Sequence, residues 1–332
     1  MEREKLELFN PWWAGRGVDP GLALPFRRPT YGKIQGALEG RFILALVGLR
    51  RLGKTTIMYQ TIEGLLRKGI KPESILFFSF DEYPTTIDDV IATYLNITGR
   101  DLREGRVFIF LDEIQKCANW ENQLKKYYDL FPKAKFILSG SESLFVRKKS
   151  KETLAGRIFE YTLKPLDFWE YLELAGVKES SLKVESEISR HFVKFAQNGG
   201  FPETLTFSGV AELREYIRSI VVDKIVYKDI PRLYHIEDPE FLITLLELVS
   251  ANPGIYLDYQ SLAQQFGRDR RVVKTYVNYL KESFLLRLIG NYRKGRVASL
   301  RKVKRAYPTD TALIRLFKPV IDDQFFGRIV ET

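Results

Sequence analysis

Cysteine is almost absent from this chain: Cys117 is the single thiol among 332 residues, and histidine and methionine occur twice each. One thiol cannot close an internal disulfide, and it cannot supply a zinc site built on cysteine pairs. With only His191 and His235, metal catalysis through imidazole lacks a ligand set. Long apolar runs are missing too, and none approaches the roughly 18 to 20 residues that a membrane-spanning helix needs. The first residues, Met1 to Glu7, are mostly charged where a secretory leader would be apolar. These absences predict a cytoplasmic chain without a membrane partner, long enough for two or three domains.

What is abundant is positive charge. The formal net charge is +10, a surplus that suits polyanionic partners such as nucleotide or nucleic acid and equally suits a well-solvated surface. Position decides between them. Phe42 to Val47 is an unbroken apolar run, the form of a parallel strand buried on both faces. Gly48-Leu49-Arg50-Arg51-Leu52-Gly53-Lys54-Thr55 follows it and matches the phosphate-loop pattern G-x-x-x-x-G-K-[ST]. An amphipathic helix from Thr55 to Leu66 closes at Gly69.

Glycines let successive backbone N–H groups curl around phosphate oxygens, and the helix presents its positive end to them. Lys54 is expected to reach the β and γ phosphates of ATP, and the Thr55 hydroxyl to coordinate Mg²⁺; Thr56 reads as structural. A second buried run, Val107 to Leu111, ends in Asp112-Glu113. Asp112 is expected to hold the metal through water, and Glu113 to orient or deprotonate the attacking water. A third, Lys135 to Leu138, enters Ser139-Gly140-Ser141, where Ser139 or Ser141 senses the γ-phosphate or merely forms a serine-rich turn. Ile75 to Phe80 reads as the outer strand and Ile158 to Leu163 as the last.

These residues resemble the AAA+ superfamily, and more narrowly the archaeal and bacterial ATPases in which a winged helix and a nuclease-like domain follow the ATPase module. The carriers are Asn10-Pro11-Trp12-Trp13, Gly48 to Thr56, Leu111 to Gln115, Ser139-Gly140-Ser141, Leu154 to Arg157 and Gly199-Gly200-Phe201-Pro202. The resemblance implies a RecA-like α/β P-loop sheet of the ASCE class, a helical lid and a winged-helix domain. It also implies adenine contact at Pro202 and a γ-phosphate role for Arg157, from its own subunit or a neighbour in a homo-oligomer. A helix-ending turn at Pro202 and a salt-bridged Arg157 are the plainer alternatives. Arg50 and Arg51, inside the loop, are expected to touch phosphate or the neighbouring domain.

The expected segments are 1–30 as an N-terminal piece, 31–165 as the ATPase core, 166–235 as the lid, 236–308 as the winged helix and 309–332 as the start of a truncated nuclease-like domain. In the winged-helix segment, stretches at Tyr259–Phe266 and Arg270–Glu282 flank a turn at Gly267, with Leu262, Ala263, Val272, Val273, Val277 and Leu280 as the core. Arg268, Arg270, Arg271 and Lys274 gather at the start of the second helix. Tyr292 to Arg305 adds Arg293, Lys294 and Arg296 among seven basic residues. A helix start and a basic hairpin on one module would clamp double-stranded DNA, whereas a protein-docking module is the competing reading. The expectation is an ATPase acting as a molecular switch. No nuclease activity is expected, because further acids and a lysine would have to follow Glu331.

Overall fold

The computed structural model describes residues 1–140, 152–177, 185–290 and 304–332. The chain divides into two compact units, Met1–Leu163 and Lys164–Thr332. The N-terminal piece therefore belongs with the first unit, and the later segments read from the sequence fall together in the second. Among the described residues no helix is long and apolar enough to cross a membrane.

In the first unit, α1 (Arg3–Phe9) and α2 (Pro29–Ala37) precede the sheet. The alternation then runs β1 (Ile43–Val47), α3 (Lys54–Arg67), β2 (Ile75–Ser79), α4 (Ile87–Thr98), β3 (Val107–Asp112), α5 (Trp120–Leu130), β4 (Ala134–Gly140) and β5 (Ile158–Thr162). All strand pairs are parallel, in the order β2-β3-β4-β1-β5. Every residue of β1 to β4 is buried, which is why these strands read as apolar runs without alternation. The chain crosses from β1 to the outer strand β2 and walks back to β4 beside β1. That order brings the carboxyl ends of β3, β4 and β1 together, where open α/β sheets bind ligands.

The outer edge of β2 is closed by side chains. Asn10 accepts a hydrogen bond from the Phe77 N–H at 2.7 Å and donates to the Phe77 carbonyl at 2.9 Å. The indoles of Trp12 and Trp13 both donate to the Ile75 carbonyl, at 3.0 and 2.9 Å. Asn10 and Trp12 are almost fully buried. The Asn-Pro-Trp-Trp motif thus satisfies the backbone groups that an edge strand leaves open to wrong pairing. At the amino end of the central strand β4, Lys135 donates to the carbonyls of Ala37, Gly40 and Phe42 at 2.8, 2.8 and 2.6 Å, fastening the end of α2.

The second unit begins with helices Phe168–Leu174, Glu185–Asn198 and Val210–Tyr216, the last continuing through π-helical turns at Ile217–Val222 and Ile225–Asp229 into Ile230–Leu233. Next come helix Pro239–Ala251, β6 (Ile255–Tyr256), helices Tyr259–Phe266 and Arg270–Glu282, then β7 (Leu286–Ile289) and β8 (Arg305–Pro308). The three strands form an antiparallel sheet in the order β6-β8-β7. Asp258 and Asp269 cap the paired helices, and Gly267, with φ of 62°, ends the first of them. Val273, Tyr276, Val277 and Leu280 share one buried face. Val272, expected in the core, is 37% exposed. One residue before Val273 it is turned about 100° off the stripe.

Gly199 and Gly200 make a tight joint inside this unit. The Gly200 N–H donates to Asp310 Oδ2 at 2.8 Å, and its carbonyl accepts from the Leu166 N–H at 2.7 Å. Asp310 also caps helix Thr311–Phe317 through Ala312. A Cβ on Gly200 would lie 2.4 Å from the Leu166 carbonyl oxygen, and one on Gly199, whose φ is +79°, would lie 2.8 Å from the Ala312 Cβ. Helix Thr311–Phe317 is nearly all buried, and Ile314 packs with Ala196, Phe325 and Ile329.

Two substitutions measure these clasps. Gly200→Ala is expected to cost about 1–3 kcal/mol through overpacking against backbone. Asn10→Ala should cost about 1–3 kcal/mol by stranding the Phe77 backbone groups. Unchanged urea midpoints for either variant would contradict the corresponding clasp.

Candidate functional site

The site grows from the turn between β1 and α3. Gly48, with φ of +148°, passes so close to β5 that a Cβ there would meet the Leu163 carbonyl oxygen at 2.3 Å. Only glycine fits. Gly53 takes φ of 88° and stands as the N-cap of α3 with no side-chain cap, so the first N–H groups of the helix face the loop. Leu49 and Leu52 are buried anchors, whereas Arg51, at φ of 65°, is exposed and Arg50 and Thr56 are half-buried. Lys54 is 5% exposed and folds across its own loop, donating to the carbonyls of Gly48 at 3.2 Å and Leu49 at 2.9 Å.

The sheet register sets the acidic side. Leu46 lies level with Ser139, and Ser79 with Asp112, so the carboxyl ends of β1 to β4 present their side chains in one row. Asp112 is buried, and burial pushes its carboxyl up to about 6, with the charge of Glu113 adding to the effect. Hydrogen bonds from Ser139 and Thr55 and the charge of Lys54 oppose that rise. Thr55 Oγ1 donates to Asp112 Oδ2 at 3.0 Å, and the Ser139 hydroxyl donates to Asp112 Oδ1. Ser139 also accepts from the Glu113 N–H at 3.5 Å. It therefore ties the two acids together.

Glu113 adopts the left-handed conformation, φ 52° and ψ 42°, unusual outside glycine. Its carboxylate accepts a hydrogen bond from Gln115 Nε2 at 2.6 Å. Thr55 and Asp112 offer two hard oxygen donors at bonding distance from each other. Mg²⁺ is commonly held by one or two protein oxygens together with substrate phosphates and water, so this donor pair fits it. Among the described residues no cluster of three or more His, Cys, Asp or Glu suits a metal held by protein alone.

Other predicted residues lie elsewhere. Arg157 precedes β5, with its carbonyl accepting from the Ile43 N–H, at the amino end of the strands. The loop leaves β1 at the carboxyl end, about 16 Å away at roughly 3.3 Å per residue. Arg157 is held there by Asp129, Nε to Oδ1 at 3.0 Å and Nη2 to Oδ2 at 3.3 Å. Within its own unit it does not approach the phosphate loop, which corrects the expectation of a γ-phosphate role in its own subunit. Pro202 lies in the second unit as the first residue of the 3₁₀ turn Pro202–Thr206, and the glycines before it are engaged with Leu166 and Asp310. Arg270, Arg271 and Lys274 are exposed on helix Arg270–Glu282, whereas Arg268 is paired with Asp238 at 2.6 Å. Ser141, Arg293, Lys294 and Arg296 lie outside the described residues.

Two further side chains shape the site without a sequence signal of their own. Arg28, buried at 7% exposure, donates to the Leu52 carbonyl of the loop at 3.2 Å. No motif marks it, because an arginine before a proline says nothing until the fold returns it to the loop. Gln115 stands two residues after Glu113 in the Leu111 to Gln115 run, and its grip on that carboxylate depends on a local turn that spacing does not specify.

Comparison with known proteins agrees with this geometry. Residues 40–172 match the AAA domain family, and residues 189–322 match a domain of unknown function (DUF8612). An uncharacterized protein of Methanocaldococcus jannaschii is 30% identical over 318 residues, which cover 87% of this chain and 66% of that protein. An uncharacterized protein of Haemophilus influenzae is 25% identical, over 74% of this chain and 61% of its own length. The chain thus spans about two thirds or less of these relatives. A Walker-type ATPase of Pyrococcus abyssi has a similar fold, with a TM-score of 0.54 and 14% identity, covering 88% of this chain and 96% of that one. The five-stranded parallel sheet, the glycine loop and the match to the AAA domain family together support a P-loop fold of the AAA type for residues 40–172.

Proposed function

We propose that this chain is an ATP-hydrolysing, Mg²⁺-dependent switch whose second unit carries a winged helix that binds double-stranded DNA. The observation that carries the first half is the convergence of Thr55, Asp112 and Ser139 beside the phosphate loop, with Thr55 bonded to Asp112 at 3.0 Å. Lys54 exchanges its loop carbonyls for the β and γ phosphates, and the uncapped N–H groups of α3 receive phosphate oxygens. Thr55 and Asp112 would hold Mg²⁺, which would offset charge on the phosphates. Glu113 takes the proton of the attacking water as the bond to the leaving ADP oxygen breaks. Ser139 keeps Asp112 in place and positions the backbone of Glu113.

The second half is supported by the order helix, strand, helix, helix, hairpin, with an antiparallel sheet flanking helix Arg270–Glu282. The exposed start of that helix carries Arg270, Arg271 and Lys274. Cations at a helix start beside a hairpin suit phosphate contacts along a groove. The basic residues Arg293, Lys294 and Arg296 of the hairpin, and Pro202 as an adenine contact, belong to this proposal as readings of the sequence.

Lys54→Ala should lose ATP binding, whereas Glu113→Gln should bind ATP normally and release phosphate about a hundredfold or more slowly. Ser139→Ala is expected to lower turnover about 10- to 100-fold with little change in ATP affinity, as loss of an orienting partner does. Equal turnover by wild type and Glu113→Gln contradicts the assignment of the general base. For DNA, replacing Arg270, Arg271 and Lys274 with alanine should weaken duplex binding and lower its salt slope by about one for each phosphate no longer neutralised. No binding even at low salt would assign the second unit to protein docking.

A further inference from the structure

The outer face of the three-stranded sheet carries a feature that phosphate binding leaves unexplained. Register sets Tyr256 opposite Arg305, and Arg305 opposite Ile289, in one row across β6, β8 and β7. The alternate residues, among them Leu286 and Ala306, face the core. Tyr256 is 52% exposed and Ile289 is 48% exposed. Arg305 Nη2 donates to Tyr256 Oη at 2.9 Å, and its guanidinium carbon lies 4.8 Å from the centre of the tyrosine ring. The guanidinium lies over one face of the ring and holds it in place, and the tyrosine as a whole stays half exposed.

In the neighbouring row of the same face, Glu331 and Thr332 contact Tyr307 and Arg287. Tyr307 is buried and donates to Glu331 at 3.4 Å, and Arg287 donates to the Thr332 carbonyl. Among the described residues, Tyr256 and Ile289 thus stand exposed on this face beside the half-buried Arg305. This row adjoins the basic helix start: Asp258, two residues beyond Tyr256, has its carboxyl held low by hydrogen bonds from Ser261 and Gln260 and, less strongly, by the charge of Arg270.

A duplex backbone asks only for cations. A flat aromatic ring and an aliphatic side chain set among cations suit the faces of unpaired bases, which stack on aromatic rings and guanidinium planes. We infer that the Tyr256–Arg305–Ile289 row is a stacking platform for unpaired bases, so that the second unit takes DNA with single-stranded character at this face as well as duplex at helix Arg270–Glu282. The inference rests on the DNA-binding reading above and names a substrate class for it.

The test is fluorescence anisotropy of the full chain with a labelled oligothymidylate and a blunt duplex of equal length, across a salt series. Tyr256→Ala should weaken binding to the single strand roughly tenfold and duplex binding by less than about twofold, since one base stacked on a ring is removed. Tyr256→Phe should keep the affinity, because the ring remains and only the hydroxyl is lost. This conservative variant separates stacking from a fold defect. Single-strand affinity unchanged in Tyr256→Ala, with duplex binding intact and sensitive to Arg270 and Arg271, overturns the platform and leaves the DNA reading standing. A wild type that binds neither probe at low salt overturns both.

Discussion

A carboxylate buried in the end of a central strand is costly unless hydrogen-bond donors and opposite charge surround it. Asp112 is that carboxylate, and the first unit is arranged around its needs. Thr55 comes from the first turn of α3 and Ser139 from β4, while the charge of Lys54 lies near enough to favour the ionised form. These groups are 57 and 27 residues from Asp112 along the chain for Thr55 and Ser139. They meet only because the strand order places β4 between β3 and β1. The apolar runs build the sheet, the sheet order builds the acidic site, and the site is the basis of the proposed chemistry.

The centre of this arrangement was legible in the sequence because each part has a local signature. A continuous apolar run marks a doubly buried strand, and two glycines at fixed spacing before a lysine mark the loop. The five strands fall at the stretches read as strands, with β2 at an edge as read, and the last strand, β5, forms the other edge. What was not legible depends on contacts between distant segments. Arg157 has the sequence context of an arginine that acts on phosphate, yet the parallel register of β5 with β1 carries it to the other end of the sheet. Val272 sits in an apolar pair with Val273, and only the helix phase shows that one of the two faces outward. Arg28 reaches the loop through a fold return that no spacing rule encodes.

Two motifs contain residues with a structural explanation of their own. Asn10, Trp12 and Trp13 close an exposed strand edge. Gly199 and Gly200 admit Leu166 and Asp310 at distances that leave no room for a side chain. Both supply hydrogen bonds to backbone groups far away in sequence, so their residue types are dictated by packing within each unit. In the second unit the same Asp310 that receives Gly200 also caps helix Thr311–Phe317, which couples the helical half to the sheet-bearing half.

The proposed chemistry turns on Asp112 and Thr55 as the metal-holding pair, and ATP affinity measured by isothermal titration with and without Mg²⁺, in wild type and Asp112→Asn, tests it directly. The predicted result is that Mg²⁺ strengthens ATP binding to the wild type about tenfold or more, and that Asp112→Asn keeps the metal-free affinity but loses this gain. Full Mg²⁺ dependence in Asp112→Asn would contradict that role, because the metal would then be held without the carboxylate around which the site is built.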